Sequence, residues 1–169
     1  DPLISIGNLV NIDHHASNAG FGTVNLVLSE ASSTCEIIYS LLKEMKVKIT
    51  SDIATSLLTG IVGDTGSFRY SSTSADSLII AADLIKCSAD INYVAQNLYF
   101  NKPINFVMLT GIMLSNIKTY ADGQIAEITV TKDILKKYSV TEEECDNLAE
   151  EGLNISGVKI AAFFKECRD

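Results

Sequence analysis

Histidine is almost absent from this chain of 169 residues: there are two, and they are adjacent, His14 and His15. Thiol pairs, basic charge and long apolar runs are equally scarce, and each scarcity excludes something. The four cysteines, Cys35, Cys87, Cys145 and Cys167, lie far apart with no Cys-x-x-Cys among them. That sets aside a disulfide scaffold and a thiolate zinc site, and reads as reduced, partly buried thiols in a cytoplasmic protein. No stretch approaches the roughly eighteen apolar residues of a membrane helix, and no basic leader precedes an apolar stretch, so no membrane partner is expected. Thirteen basic residues stand against twenty-one acidic ones, a net charge of −8. Such a chain does not attract a long nucleic acid by its bulk field; a short oligonucleotide or a single nucleotide, held by a few local donors, suits it better. There is no internal repeat or low-complexity tract. What is present is a 47% hydrophobic fraction with 20% charged residues and a mean hydropathy of +0.21, enough to build a core for one domain or two small ones.

The two histidines follow Asp13 at the end of the apolar segment Leu9-Val10-Asn11-Ile12. Three consecutive metal-capable side chains at a strand tip are hard to explain by packing. Strand alternation sends His14 to one face and Asp13 and His15 to the other, so that one imidazole can bind a metal while its neighbours orient it or reach a substrate. For the triplet alone, the plainer reading is a pair of histidines bonded to the nearest loop. A second motif, Gly63-Asp64-Thr65-Gly66-Ser67-Phe68, adds weight. It ends a helix expected at 52–63, where Ile53, Ala54, Leu57, Leu58, Ile61 and Val62 recur at helical spacing behind Thr50 or Ser51 as N-cap. That helix runs into Gly60 and Gly63, so Asp64 emerges where it is breaking, at the negative end of its dipole, where a nearby cation would stabilise it. The alternative is a plain turn residue beside two glycines.

The remaining organisation follows from period and punctuation. A strand at 9–12 and a short one at 24–28 flank a polar loop. Ser33 with Glu36 forms a capping box for a helix bearing Ile37, Ile38, Leu41, Leu42 and Met45. Ser74 caps a helix whose buried stripe is Leu78, Ile79, Ala82 and Ile85. Residues 91–115 read as a helical linker interrupted at Asn101-Lys102-Pro103. Its aromatics Tyr93, Tyr99, Phe100 and Phe106 are core at that spacing, or else a base-stacking surface. Asp122-Gly123 marks a hairpin, Thr141 with Glu144 a second capping box, and Val158, Ile160, Ala162 and Phe164 alternate as a strand. The fold class is therefore α/β, with helices flanking a mostly parallel sheet over residues 1–90. The start of a small α+β domain follows over 116–169, and the site falls at the carboxyl ends of the strands.

The segments "NIDHH" and "TGIVGDTGSFRY", with "DHHASNAGFG" and "EASSTCEIIYSLL" in the same order, resemble the DHH–DHHA1 group of phosphoesterases, which includes RecJ-like exonucleases. The nanoRNase/pAp-phosphatase branch is the most similar. The resemblance covers nearly the whole chain. It implies that residues 1–90 are the C-terminal half of a DHH domain and residues 116–169 the N-terminal part of a DHHA1 domain. Members carry two acidic motifs before the triplet and a Gly-Gly-Gly-His segment after it. Neither is found here, and Asp1 is too close to Asp13 to be the second acidic motif. An internal fragment, inactive by itself, is the expectation.

By this resemblance His14 and Asp64 are metal ligands, and Asp13 orients His14. His15 contacts the scissile phosphate or assists proton transfer, and Thr65 and Ser67 supply donors near that phosphate. Arg69 is a weaker candidate. Phosphodiester hydrolysis needs a nucleophilic water and neutralised phosphoryl oxygens, which two divalent ions about 3.5–4 Å apart supply. Asp/His ligation without thiolate favours Mn²⁺ or Mg²⁺, two ions in the complete protein. The expected substrate is a short RNA or DNA oligonucleotide, a linear dinucleotide or adenosine bisphosphate, and the expected assembly a homodimer. The other class of reading is a non-catalytic DHH module that binds a nucleotide or a protein partner. A RecJ-type single-strand exonuclease and a family II pyrophosphatase are further alternatives.

Overall fold

A computed structural model describes residues 7–166, apart from the side chains of residues 146 and 147; Asp1 and Cys167 lie outside these. The chain divides into two units, Asp1–Phe100 and Asn101–Asp169. The segment expected as a linker is shared between them, its first helix in one unit and its second in the other.

The first unit opens with β1 (Val10–Asp13) and β2 (Val24–Val27), paired in parallel with Asp13 opposite Val27. Parallel strands need a crossover, usually a helix; here residues 14–23 cross as a loop that begins with both histidines. Three helices follow: α1 (Thr34–Glu44), α2 (Ser51–Asp64) and α3 (Ala75–Lys86), then α4 (Ile91–Tyr99). Ser33 Oγ caps α1 by accepting the Glu36 N–H. The return half of the expected box is displaced by one residue, because the Glu36 carboxylate takes the N–H and hydroxyl of Ser32 instead. Thr50 is the N-cap of α2 and Ser74 that of α3. The core gathers on α2, whose Ala54, Leu57, Leu58, Ile61 and Val62 are all buried, with Tyr39, Ile80, Ala81, Leu84 and Val94 packed around it. Across α1 and α3, the Tyr39 hydroxyl and the Lys43 ammonium both donate to Asp83. Burial and the Asp83 charge push the Tyr39 phenol up from its ordinary value.

Two expectations are corrected here. The inward stripe of α3 is Ser77, Ile80, Ala81 and Leu84, while Leu78, Ile79 and Ile85 are exposed. The helix is apolar nearly all round, so periodicity offers two stripes. Ser77 can face inward because its side chain closes the capping box with Ser74. On α1, Ile37 and Tyr39 are the buried residues and Met45 is out in solvent. α2 runs through both glycines and ends at Asp64, within one residue of the helix expected at 52–63. Gly60 marks the point where α1 comes close: a Cβ there would lie 2.2 Å from Cys35 Sγ and 3.0 Å from its Cβ. Gly60→Ala should therefore destabilise the first unit by about 1–2 kcal/mol despite its gain in helix propensity. Cys35→Ala, which removes the obstructing sulfur, should recover most of this. Urea denaturation of the two single variants and the double variant checks it, since strictly additive effects would deny the contact.

The second unit starts with α5 (Ile104–Ser115), then β3 (Lys118–Tyr120) and β4 (Ile125–Val130), antiparallel as the Asp122-Gly123 hairpin requires. Then come α6 (Lys132–Tyr138), a 3-10 turn at Glu143–Leu148 headed by the Thr141–Glu144 box, α7 (Ala149–Leu153) and β5 (Ile160–Lys165). β5 joins β4 in parallel. Phe163 packs onto a core of Leu109, Met113, Ile128, Val130, Leu135 and Leu148, whereas Ile160 and Phe164 on the alternate face are exposed. The aromatic group is divided: Tyr93 and Phe100 are exposed, the Tyr99 hydroxyl donates to the Val62 carbonyl, and Phe106 packs into the second unit's core. Among the described residues no helix is long and apolar enough to cross a membrane.

Candidate metal centre

The triplet and Asp64 meet. β1 delivers Asp13 as its last residue, α2 delivers Asp64 as its last, and His14 Nε2 comes to 3.5 Å from Asp64 Oδ2. An imidazole nitrogen and a carboxylate oxygen at that separation can be bridged by one ion with bonds of about 2.0–2.2 Å. The His14 side chain is 19% exposed and that of Asp64 45%, so the pair lies at the rim of the unit, open to an ion and its water.

The rest of the triplet differs from simple strand alternation, because β1 ends at Asp13 and the chain turns. The rings of His14 and His15 lie beside each other with centroids 4.4 Å apart. Asp13 Oδ1 accepts the backbone N–H of His14 at 2.7 Å and faces Nδ1 of His15 at 2.7 Å. Asp13 therefore orients the ring of His15, and His14 only through its main chain, which corrects the expected pairing. Asp13, His14 and His15 each offer a ligand atom within 4.8 Å of the others. The donors are imidazole and carboxylate with no thiolate among them, a set that fits Mn²⁺ or Mg²⁺.

A residue absent from the sequence reading completes the arrangement. Asn18 Nδ2 donates to Asp13 Oδ2 at 2.6 Å. This bond first, then the His15 ring and the two backbone N–H groups, holds the Asp13 carboxyl well below the usual carboxylate range. The only sequence signal was an asparagine in a polar loop.

Beyond Asp64 the chain makes an unusual turn. Gly66, Ser67 and Phe68 are all left-handed, with φ of 54°, 60° and 62°, a conformation that costs about 1–2 kcal/mol for each non-glycine residue. Thr65 lies at the centre of that turn and is fully buried. Its hydroxyl donates to the Ile61 carbonyl at 2.6 Å and accepts the Phe68 N–H at 3.1 Å. Thr65 therefore has no hydroxyl to offer a phosphate, contrary to expectation; it builds the turn. Ser67 is exposed, its N–H tied to the Val62 carbonyl at 2.8 Å, and its hydroxyl remains available. Arg69 Nε donates to the Gly66 carbonyl at 2.6 Å and so braces the same turn. Burial pushes the Cys35 thiol up from its ordinary value, and the Asp64 charge adds to the shift.

Residues 5–61 match the family model described as "DHH family, N-terminal domain". The chain is 34% identical over 161 residues to the bifunctional oligoribonuclease and PAP phosphatase NrnA of Bacillus subtilis, covering 94% of this chain and 51% of that protein. Over 76 residues it is 36% identical to a probable manganese-dependent inorganic pyrophosphatase of Streptococcus equi, covering 43% of this chain and 24% of that one. The solved structure of an exopolyphosphatase-related protein from Bacteroides fragilis superimposes with a TM-score of 0.92 at 27% identity, over 99% of this chain and 50% of that one. The chain spans about half the length of the curated relatives it matches. With the Asp13-His14-His15 triplet at a strand end and Asp64 brought to it by α2, the chain belongs to the DHH superfamily.

Proposed function

We propose that this chain carries one side of the catalytic centre of a metal-dependent phosphoesterase that cleaves short oligonucleotides, linear dinucleotides or adenosine bisphosphate. The observation that carries the reading is the convergence of His14 and Asp64 to 3.5 Å from separate elements, beside an Asp13–His15 pair. His14 and Asp64 hold a Mn²⁺ or Mg²⁺ ion. A bound divalent ion supplies charge for the phosphoryl oxygens and a more acidic water. His15, with its side chain 67% exposed, meets the substrate; Ser67 contributes its hydroxyl, and Thr65 acts by holding the turn. One imidazole and one carboxylate do not fill the coordination sphere of an octahedral ion. Further ligands come from outside the pair, and the second ion of the two-metal mechanism from residues beyond this centre.

The activities for which the relatives are named, oligoribonuclease and PAP phosphatase, supply the substrate class, and the acidic balance of the chain favours its short members. The test is a length ladder of RNA and DNA with Mn²⁺ present, given to the protein as its reading frame encodes it. Substrates of a few nucleotides should turn over at least about tenfold faster than long strands, because the acidic balance of this chain gives long strands little attraction. Equal or faster turnover of long single-stranded DNA would move the activity to a processive exonuclease, and hydrolysis of pyrophosphate alone to a pyrophosphatase.

A further inference from the structure

Three asparagines connect the sheet to His15. Asn11 lies on β1 and is 6% exposed, a buried polar side chain that must be hydrogen-bonded. Its Nδ2 donates both to Asn18 Oδ1 (2.8 Å) and to Asn25 Oδ1 (3.0 Å), and its Oδ1 accepts from Asn18 Nδ2 at 3.3 Å. Asn25, on β2, grips the loop by accepting the Gly22 N–H and donating to the Gly22 carbonyl. Asn18 stands in the crossover loop between them, and its Oδ1 also accepts the Gly20 N–H at 2.8 Å.

These contacts settle which way the Asn18 amide faces. Two donors, Gly20 N–H and Asn11 Nδ2, require an oxygen, so the amino group is turned to Asp13 Oδ2 at 2.6 Å. A carboxylate held at one oxygen alone rotates over a broad torsional well; held at both, it has one plane. The other oxygen of that plane faces His15 Nδ1 at 2.7 Å. An ionised carboxylate only accepts, so the ring nitrogen facing it is the one that carries the proton.

We propose that Asn18 is a positioning residue: by fixing the plane of the Asp13 carboxylate, it locks neutral His15 in the tautomer protonated on Nδ1. Nε2 is then a hydrogen-bond acceptor towards whatever occupies the site. The use of this lock rests on the phosphoesterase reading above, but its existence does not. It separates the two roles open to His15. A neutral ring of this tautomer can accept a hydrogen bond from a hydroxyl or water at Nε2, and cannot donate one there to a phosphate oxygen.

The lock is directly visible in the ¹⁵N imidazole spectrum of the histidine-labelled protein as its reading frame encodes it, recorded at alkaline pH, where the signals lost in His15→Gln are those of His15. The natural chain should show Nδ1 of His15 in its protonated form and Nε2 in its unprotonated form. Asn18→Ser leaves a hydroxyl that can still take the Gly20 N–H but is too short for Asp13. It should lower the ratio of the Nδ1-H to the Nε2-H tautomer by about fivefold or more, in keeping with the loss of one charge-assisted hydrogen bond. If the serine variant loses its fold, seen as collapse of the amide spectrum, Asn18→Gln replaces it under the same criterion. A His15 ring already protonated on Nε2 in the natural chain, or an unchanged tautomer ratio in the folded variant, overturns the proposal. The measurement uses neither metal nor substrate. A failed hydrolysis ladder therefore leaves the tautomer result standing, and a failed tautomer shift leaves the ladder untouched.

Discussion

If the proposed phosphoesterase reading holds, His14→Ala, made in the protein as its reading frame encodes it, is expected to lower Mn²⁺-dependent hydrolysis of a short RNA by about a thousandfold. That is the loss corresponding to several kcal/mol of metal-derived charge stabilisation. Asp64→Asn produces a loss of the same order, because the two side chains converge from β1 and α2 on one position, 3.5 Å apart. His14 has little freedom to move: its N–H is held by Asp13 at 2.7 Å and its side chain is 19% exposed. The asparagine at 64 keeps shape and some hydrogen bonding while removing the charge, so its effect isolates ligation from packing. Steady-state kcat/KM for both single variants and the double variant is the measurement, with circular dichroism confirming the fold. If the two act on one ion, the double variant is little worse than either single one. Losses below about tenfold in both single variants would remove the pair from the centre.

Leu58→Ala is the substitution expected to cost the first unit most. Leu58 is fully buried on the inner face of α2, at the middle of the cluster formed with Tyr39, Ile80, Leu84 and Val94. Truncating a leucine so placed removes its transfer free energy and leaves a cavity, about 3–5 kcal/mol together. For a unit of this size the midpoint of thermal unfolding falls by about 15 °C or more. Ile79→Ala is the matched control. Ile79 is 64% exposed while its neighbour Ile80 is 8% exposed, so Ile79→Ala stays within about 0.5 kcal/mol and Ile80→Ala costs about 2–4 kcal/mol. Thermal melts of the three variants decide the matter. Equal losses at 79 and 80 would mean that α3 buries the other stripe.

α3 shows where pattern reading reaches its limit. Caps are local, and they were legible: Ser33, Thr50, Ser74 and Thr141 each accept the N–H three residues on. The Asp122-Gly123 hairpin was legible for the same reason, since the turn is decided by residues next to one another. Which face of an apolar helix turns inward is not local. In α3 a serine takes a core position and two isoleucines do not, because the neighbouring helices offer the space and the capping box satisfies the serine. Gly60 is a similar case. Within the sequence it is one of two glycines in the last turns of a helix, and only the approach of Cys35 on α1 shows that the missing side chain is a clearance.

The sequence by itself determined the set of donors: a lone pair of histidines beside an aspartate at a strand end, an acidic residue at the end of the following helical pattern, and no Cys-x-x-Cys pair. Those are statements of residue type and spacing, carried by nearest neighbours along the chain. Tertiary structure decided the contacts. It brought Asp64 to His14, turned Asp13 towards His15, buried the Thr65 hydroxyl inside a left-handed turn, and placed Asn18 against the Asp13 carboxylate. Each of these outcomes depends on an atom several residues or a whole element away. The energy that selects it comes from the packing and hydrogen bonds of the folded unit, and residue type and spacing do not contain those.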